Sequence, residues 1–292
     1  MWAGIGERHG DVHAALIDAD DEALAAFLSN PGANELHYGF DRLCRSFSTL
    51  TAEEAAFMSR WAGDALRRFA EALDVIPTCN PESALPASMI DTDALVAGIS
   101  AAMGHPLHFP TPFQGEVGLP SALGYVSMRA VNGYYQAHRL AALTAEYGPR
   151  ILEIGAGLGR TAYAARQIGL GPYFIVDIPM TNVAQGMFLG LTLPAVRLCG
   201  EIDTGQPVAL FDTAVELPKA DVVLNADSLT ELDRDTAERY VEHIRGSARA
   251  FLSINHESNP FRVSDLGNLR EHRIAREPYW LRPGYVLEVY EF

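Results

Sequence analysis

The sequence has little cysteine, almost no lysine and no long apolar run. Its three cysteines lie far apart and form neither a Cys-x-x-Cys pair nor a Cys/His zinc spacing, which argues against a disulfide framework and a structural zinc site. Such cysteines suit a reducing compartment, so we expect a cytoplasmic protein. No basic segment followed by an apolar stretch opens the chain, so we expect no signal peptide. No apolar run approaches the ~18 residues needed to cross a bilayer.

Positive charge is also scarce. The 292 residues include 22 basic and 37 acidic side chains, which gives a formal net charge of −15, and Lys219 is the only lysine. An acidic surface repels phosphate backbones and anionic lipid headgroups, so we expect neither nucleic acid nor a membrane as a partner. Hydrophobic residues make up 48%, which is enough for a folded core. The length allows two small domains or one domain with an extension.

The first half of the chain has mainly helical patterns. Residues 51–73 show the clearest one, because Thr51 and Glu54 have capping-box spacing and apolar residues then recur every three or four positions. Further helices are predicted over 20–28, 91–103 and about 121–147. We therefore expect residues 1–147 to form a helical cap or dimerisation region, which makes a homodimer plausible.

The second half, residues 148–292, has short apolar runs separated by helical patterns. The apolar runs are at 150–154, 173–177, 221–226 and 250–255. The helical patterns cover about 160–168, 180–191 and 233–247. This alternation predicts a doubly wound α/β domain with a parallel sheet. Two further strands, predicted over 272–280 and 284–292 around a Pro-Gly turn, indicate a closing antiparallel hairpin.

Three glycines follow the first predicted strand at alternate positions, Gly155, Gly157 and Gly159. They let the backbone turn sharply and approach a ligand, and the N-terminus of the helix that follows favours polar or negative groups. Asp177 lies 18 residues beyond Gly159, at the end of the second predicted strand, where an acid can accept hydrogen bonds from ribose hydroxyls. Together these features predict an adenosine-containing ligand at the carboxyl edge of the sheet.

The glycine spacing separates the candidate ligands. It is G-x-G-x-G, whereas the dinucleotide fingerprint is G-x-G-x-x-G, so the motif speaks against a nicotinamide-dependent oxidoreductase. No GxxxxGK[ST] sequence occurs, which excludes a P-loop. If the three glycines are considered without Asp177 and the predicted strand, an ordinary strand-to-helix turn that binds no ligand is the alternative.

The stretch from Glu153 to Thr161 resembles motif I of the class I S-adenosylmethionine-dependent methyltransferases. The resemblance implies a Rossmann-like, doubly wound seven-stranded sheet with an antiparallel last strand, and S-adenosylmethionine as the cofactor. It implies that Glu153 anchors the methionine end indirectly and that Asp177 binds the ribose. It also places other residues at the cofactor, which are Gly155, Gly157, Gly159, Ile178 and Asn225.

A narrower resemblance rests on four stretches, at 175–179, 225–232, 254–257 and 278–285. As a set they look like the bacterial family of sugar O-methyltransferases. This resemblance implies methylation of a sugar hydroxyl in a bacterial glycoconjugate or natural product, with a small-molecule or sugar-containing acceptor as the partner.

A hydroxyl acceptor needs a base, because an alcohol is a poor nucleophile at neutral pH. Polar clusters follow the strands predicted at 221–226 and 250–255, whose carboxyl ends lie at the ligand edge of such a sheet. His256 is the first choice for the general base, since an unperturbed histidine titrates near neutrality. Asp227 is the second choice, as the base or as the residue that orients His256. A structural histidine and a helix N-cap are the alternative roles.

Other readings of the same residues stay open. Asp227, Glu231 and Glu257 would be the ligands of a divalent cation, which we do not favour because no fixed ligand spacing is present. Arg276 and Arg282 are candidates for holding a phosphate or carboxylate on the acceptor. The acceptor group itself could instead be a carboxylate, an amine or a phenol. A noncatalytic binding protein that retains the fold is a further alternative.

Overall fold

The computed structural model describes Ala14 and residues 20–29, 50–79, 91–113, 116–213 and 216–292. Parts of the predicted helical region 1–147 therefore lie outside the described residues. The first helices are α1 (Asp21–Ser29), α2 (Ala52–Ala72) and α3 (Thr92–Met103). Each agrees with a predicted helix to within one or two residues. The capping box at the start of α2 is present, with the Thr51 side chain accepting from the Glu54 N–H.

The predicted helix over 121–147 begins later than expected. A short antiparallel hairpin precedes it, made of β1 (Leu119–Ser121) and β2 (Gly124–Val126). Helix α4 then runs over Met128–Tyr147, and the Ser127 side chain caps it by accepting from Ala130 N. The Ser127 cap fixes the start of the helix, because it satisfies an N–H that otherwise lacks a partner.

The second half forms a seven-stranded sheet flanked by helices. Its strands are β3 (Ile151–Ile154), β4 (Tyr173–Asp177), β5 (Val208–Asp212), β6 (Val222–Ala226), β7 (Ala250–His256), β8 (Arg273–Pro278) and β9 (Tyr285–Glu291). The helices are α5 (Arg160–Gln167), α6 (Pro179–Thr192), α7 (Arg234–Ser247) and the short α8 (Leu269–His272). The strand order is β5-β4-β3-β6-β7-β9-β8, and β9 is antiparallel to both neighbours.

This strand order confirms the predicted Rossmann-like fold, including the antiparallel last strand. Sequence analysis missed β5, although Val208–Asp212 is a short apolar run that ends in an acid like the runs that were recognised. From β3 the chain proceeds to β4 and β5 on one side, and then crosses to β6 on the other. The carboxyl edge between β3 and β6 is therefore the switch point at which open α/β sheets bind ligands.

The core continues from the helices of the first half into the sheet. One cluster of buried side chains includes Phe69 of α2, Tyr135 of α4 and Tyr279 near the C-terminal hairpin. The Tyr135 ring contacts both of the other rings, with centroids 5.4 and 5.5 Å away. Helix α4 is thus held against the sheet beside the switch point. Among the described helices, none is long and apolar enough to span a membrane.

Candidate functional site

A cleft of about 190 Å³ opens at the switch point. Its floor comes from the carboxyl ends of β3, β4 and β6, and the first turns of α4 form the opposite wall. Of the nine residues predicted to form the site, six line this cleft: Glu153, Gly155, Gly157, Asp177, Ile178 and Asp227. The other three, Gly159, Asn225 and His256, are not part of its lining.

The glycine turn between β3 and α5 depends on positive backbone angles. Gly155, Gly157 and Gly159 have φ values of 72°, 57° and 81°, a region that costs other residues energy. A Cβ on Gly155 would lie 2.2 Å from Oγ and 2.5 Å from Cβ of Ser228. The absence of a side chain at Gly155 therefore allows Ser228 to pack directly against the turn. Gly159 serves the turn, since it stands at the N-cap of α5 and its N–H donates to Ala156 O.

Glu153 is a buried carboxyl in the floor of the cleft, with 2% of its surface exposed. The Tyr173 hydroxyl donates to its Oε2 at 2.8 Å. Burial disfavours the charged form and raises the pKa of Glu153 to about 7. A cationic ligand in the cleft would favour the ionised carboxylate and be attracted by it.

Asp177 ends β4 and is held by three protein donors. Its Oδ2 accepts from Ala156 N at 3.0 Å and from Gln185 Nε2 at 2.8 Å, and its Oδ1 accepts from Ile178 N at 2.9 Å. Burial raises the pKa of Asp177 to about 7 despite these hydrogen bonds. The nearby Thr181 hydroxyl also favours the charged form, so protein donors surround this carboxyl.

Gln185 is a contributor that sequence analysis missed. Its side chain is fully buried on α6, and its Nε2 also donates to Gly157 O at 2.9 Å. It therefore ties the glycine turn to Asp177. Gln185 follows Asp177 by eight residues, on the buried face of the helix after β4. That position was the only sequence feature that could have identified it.

Asn225 lies beneath the cleft. Its Nδ2 donates to Ile154 O at 2.9 Å and contacts Ser228 Oγ, and its Oδ1 accepts from Asn255 Nδ2 at 3.0 Å. It is fully buried and joins the ends of three neighbouring strands. Its predicted contact with a cofactor stays a prediction, and the geometry here is that of a support for the floor.

Asp227 is the polar centre of the other end of the cleft. It has a φ of 71°, which is rare for a residue with a side chain. Its Oδ2 accepts from the Tyr285 hydroxyl at 2.8 Å and from Arg282 Nη2 at 3.3 Å. Arg282 also stacks on the Tyr285 ring, 3.6 Å from the centroid. Ser228, and not Asp227, is the N-cap residue of the 3₁₀ turn Leu229–Glu231, and its side chain makes no capping hydrogen bond.

His256 stands behind Asp227. The two predicted catalytic residues come together, with His256 Nε2 3.6 Å from Asp227 Oδ1. The imidazole packs edge-to-face on the Tyr285 ring, and its Nδ1 accepts from Ser258 N at 3.3 Å. That bond assigns the proton of the neutral ring to Nε2, but at 3.6 Å this N–H makes no hydrogen bond with Asp227 Oδ1. Between the two residues, only Asp227 lines the cleft.

The residues considered for a cation and for an anionic acceptor have other partners. Glu257 forms an ion pair with Arg276 at 3.0 Å. Arg276 also pairs with Glu288, and Arg282 pairs with Asp227. In the described part of the chain, no group of three or more histidine, cysteine, aspartate or glutamate side chains could hold a metal ion.

Helix α4 contributes three polar residues to the lining of the cleft. Arg129, Asn132 and Gln136 line the cleft at helical spacings of three and four residues. Gln136 Oε1 accepts from the Thr161 hydroxyl at 2.5 Å, which joins α4 to the start of α5. Polar residues at these intervals within a buried helix face were the signal that could have identified all three.

Strand order, glycine turn and cleft together define a Rossmann-like α/β protein with a ligand site at its switch point. No family model and no curated protein matches the sequence. Similar solved structures include the mitomycin 7-O-methyltransferase MmcR, with 17% identity and a TM-score of 0.42. The alignment with MmcR spans 56% of this chain and 55% of that one.

Two further similar structures contain a bound methyl donor. One is the glycopeptide N-methyltransferase MtfA complexed with S-adenosyl-L-methionine, with 17% identity and a TM-score of 0.42 over 55% of this chain and 94% of that one. The other is the magnesium protoporphyrin IX methyltransferase ChlM from Synechocystis PCC 6803 with bound SAM, with 16% identity and a TM-score of 0.43 over 60% and 87%. The fold assignment rests on the strand order of this chain.

Proposed function

We propose that this chain is an S-adenosylmethionine-dependent methyltransferase. The observation that carries the proposal is the glycine turn at Gly155 and Gly157, which is hydrogen-bonded to Asp177 and lines an open cleft with it at the switch point. The open cleft at the switch point and the acid at the end of β4 fit an adenosine ligand with a ribose diol. When bound, the cofactor supplies an electrophilic methyl group on a positively charged sulfur.

Different residues along the cleft would bind different parts of the cofactor. Asp177 would accept a hydrogen bond from the ribose, and Ile178 and the glycine turn would border the nucleoside. Glu153 would add a negative charge under the sulfonium end, which its raised pKa makes sensitive to pH near neutrality. The wall of α4 would exclude water and hold the acceptor close to the methyl group.

Binding of S-adenosylhomocysteine, measured by calorimetry, tests this proposal. Asp177→Ala should weaken binding by about tenfold or more, since a charge-assisted hydrogen bond is lost. Asp203→Ala is a matched control, because Asp203 is an exposed acid paired with Arg197 outside the cleft. Absence of binding to the unmodified protein would contradict the cofactor, and binding of NADH instead would favour an oxidoreductase.

For the reaction, we propose transfer to a hydroxyl, with a sugar-containing molecule as the acceptor. The resemblance at 225–232 and 254–257 supports this class, and the Asp227–His256 pair offers a group that can take up the hydroxyl proton. Since Asp227 lines the cleft and His256 does not, we assign proton removal to Asp227 and its orientation to His256. A homodimer and the division into 1–147 and 148–292 also remain proposals.

Turnover of a panel of sugar acceptors by two variants tests the assignment. Asp227→Asn should lower the rate by roughly 100-fold or more, because general-base catalysis contributes about 10²–10⁴-fold, whereas His256→Gln should cause a smaller loss. Unchanged turnover of the sugar acceptors in both variants would contradict a general-base role for this pair, whereas a carboxylate acceptor needs no base and should be methylated at an unchanged rate by both variants. No methylation of any acceptor by a protein that binds the cofactor would favour a noncatalytic role.

A further inference from the structure

Three arginines line the cleft, and one of them differs from the other two because it forms no ion pair among the described residues. Arg129, Arg160 and Arg282 all line it. Arg160 forms an ion pair with Glu116 at 2.5 Å, and Arg282 forms one with Asp227 at 3.3 Å. Within the described residues Arg129 has no ion pair, and its Nε is buried without a hydrogen-bond partner.

The position of Arg129 makes a guanidinium without an ion pair energetically unfavourable. Arg129 stands in the first turn of α4, where the helix dipole is unfavourable for a positive charge. A guanidinium stays protonated under all ordinary conditions, so it cannot relieve the cost by losing a proton. A buried charged donor without an acceptor is destabilising, and a ligand that supplies the acceptor removes that cost.

The location of Arg129 indicates which chemical group it would bind. It lines the same cleft as Asp227 and Arg282, and its charge partly offsets the rise that burial causes in the pKa of Tyr285, whose hydroxyl donates to Asp227. Asn132 follows one turn later, buried and lining the cleft, and its Oδ1 also lacks a hydrogen-bond partner. An amide oxygen accepts, so Asn132 would receive a donor of the bound molecule and not its anionic group, which leaves the anionic group to Arg129. Resting on the proposed function, we propose that Arg129 binds an anionic oxygen group, a carboxylate or phosphate, of a molecule held in this cleft.

Two molecules could carry that group, the cofactor through its amino-acid carboxylate or the acceptor through its own anionic substituent. Calorimetry with two nucleosides separates them, S-adenosylhomocysteine and 5′-deoxy-5′-methylthioadenosine, which lacks the amino-acid end. If the cofactor is the source, Arg129→Gln should weaken S-adenosylhomocysteine binding by about tenfold and leave methylthioadenosine binding unchanged. Arg129→Lys should recover part of the loss, because it keeps the charge but not the planar fork.

If the acceptor is the source, S-adenosylhomocysteine binding should be unaffected. Inorganic phosphate, titrated into the S-adenosylhomocysteine complex, should then bind to the unmodified protein and fail to bind to Arg129→Gln. Arg139→Gln is the matched control, since it removes the same charge from the same helix at a residue paired with Glu277 outside the cleft. It should change neither titration.

The inference is overturned if Arg129→Gln and Arg129→Lys leave both titrations unchanged, or if they weaken the two nucleosides equally, which would indicate a structural role. Thermal unfolding of each variant shows whether it is folded, and the lysine variant serves if the glutamine variant is not. Failure of the unmodified protein to bind S-adenosylhomocysteine would contradict the proposed function instead, and phosphate titration into the ligand-free protein would then decide the inference.

Discussion

The two ends of the cleft are built in different ways. At the nucleoside end, Glu153, the glycine turn and Asp177 come from consecutive βα units, and backbone angles and N–H groups shape much of the surface. At the other end, Arg129, Asp227, His256 and Tyr285 come from α4, β6, β7 and the C-terminal hairpin. The nucleoside end is a local construction, whereas the other end is a side-chain cluster assembled from distant parts of the chain.

This difference explains why the two ends leave different traces in the sequence. A turn that needs positive φ values requires glycine at fixed positions, and such a requirement is visible as a motif. A cluster of side chains from four elements has no fixed spacing, so its members look like ordinary surface or core residues. The predictions below test this contrast between a backbone-built and a side-chain-built end.

The largest effect is expected from Gly155→Ala. The added Cβ would meet Ser228 Oγ and Cβ at 2.2 and 2.5 Å, at a φ of 72°. The left-handed backbone and the overlap together should lower the free energy of unfolding by roughly 2–4 kcal/mol. Urea unfolding measures the loss, and calorimetry should show S-adenosylhomocysteine binding weakened in step.

Gly169→Ala is the control for Gly155→Ala. Gly169 has a φ of 82°, but a Cβ there would meet nothing within 4 Å. Only the backbone cost of about 1–2 kcal/mol should then appear, with nucleoside binding unchanged. Equal losses in the two variants would show that the close approach of Ser228 to the turn has no energetic weight.

An intermediate effect is expected from Glu153→Gln, and it depends on pH. Burial raises the pKa of Glu153 from 4.5 to about 7. Between those values the folded protein retains a proton that the unfolded chain has released, so this group's contribution to stability falls as the pH rises. Glutamine cannot ionise, and the variant should therefore be more stable than the unmodified protein at pH 8 by roughly 1–3 kcal/mol.

Urea unfolding of both proteins at pH 4.5 and pH 8 measures this difference. Ligand binding should change in the opposite sense, because a cation in the cleft favours the ionised carboxylate and its affinity should increase as the pH rises through about 7. A stability difference that is the same at both pH values would show that Glu153 is not the titrating group.

The smallest effect is expected at the side-chain end, from Tyr285→Phe. The ring stays between Arg282 and His256, but Asp227 loses a donor at 2.8 Å. We expect a loss of about 1 kcal/mol in the free energy of unfolding together with slower turnover. Tyr290→Phe on the same strand removes a similar bond to Glu288, and it should cost similar stability without affecting turnover. Unchanged turnover in Tyr285→Phe would separate this hydroxyl from the reaction.

Much of the fold could be predicted from local patterns. The amphipathic spacing and capping box of α2, the apolar runs of β3, β4, β6 and β7, and the closing hairpin were all recognised and are confirmed. The β1–β2 hairpin was missed because Pro120 closes a stretch rich in proline and glycine that was interpreted as irregular, and Gly124 fell within the helix predicted from about residue 121. Their pairing depends on partners across the turn rather than on any helical or alternating pattern.

The candidate site also contains residues that local spacing identifies and residues that only distant contacts place. Gly155, Gly157 and Asp177 could be identified from spacing alone, because a strand followed by a tight turn fixes their relative positions. Spacing could not show that Asp227 rather than His256 borders the cleft. That outcome depends on the positive φ of Asp227 and on its hydrogen bond with Tyr285, which is 58 residues away in the sequence.

By itself, the sequence determined most of the strands and helices, the glycine turn and the acid beside it, since hydrophobic periodicity and backbone strain act between near neighbours. Only the tertiary structure decided which side chains meet at the opposite end of the cleft. It placed α4 over the sheet and left Arg129 there without a carboxylate partner among the described residues. Contacts between distant segments depend on packing in three dimensions, and packing leaves no fixed interval in the chain.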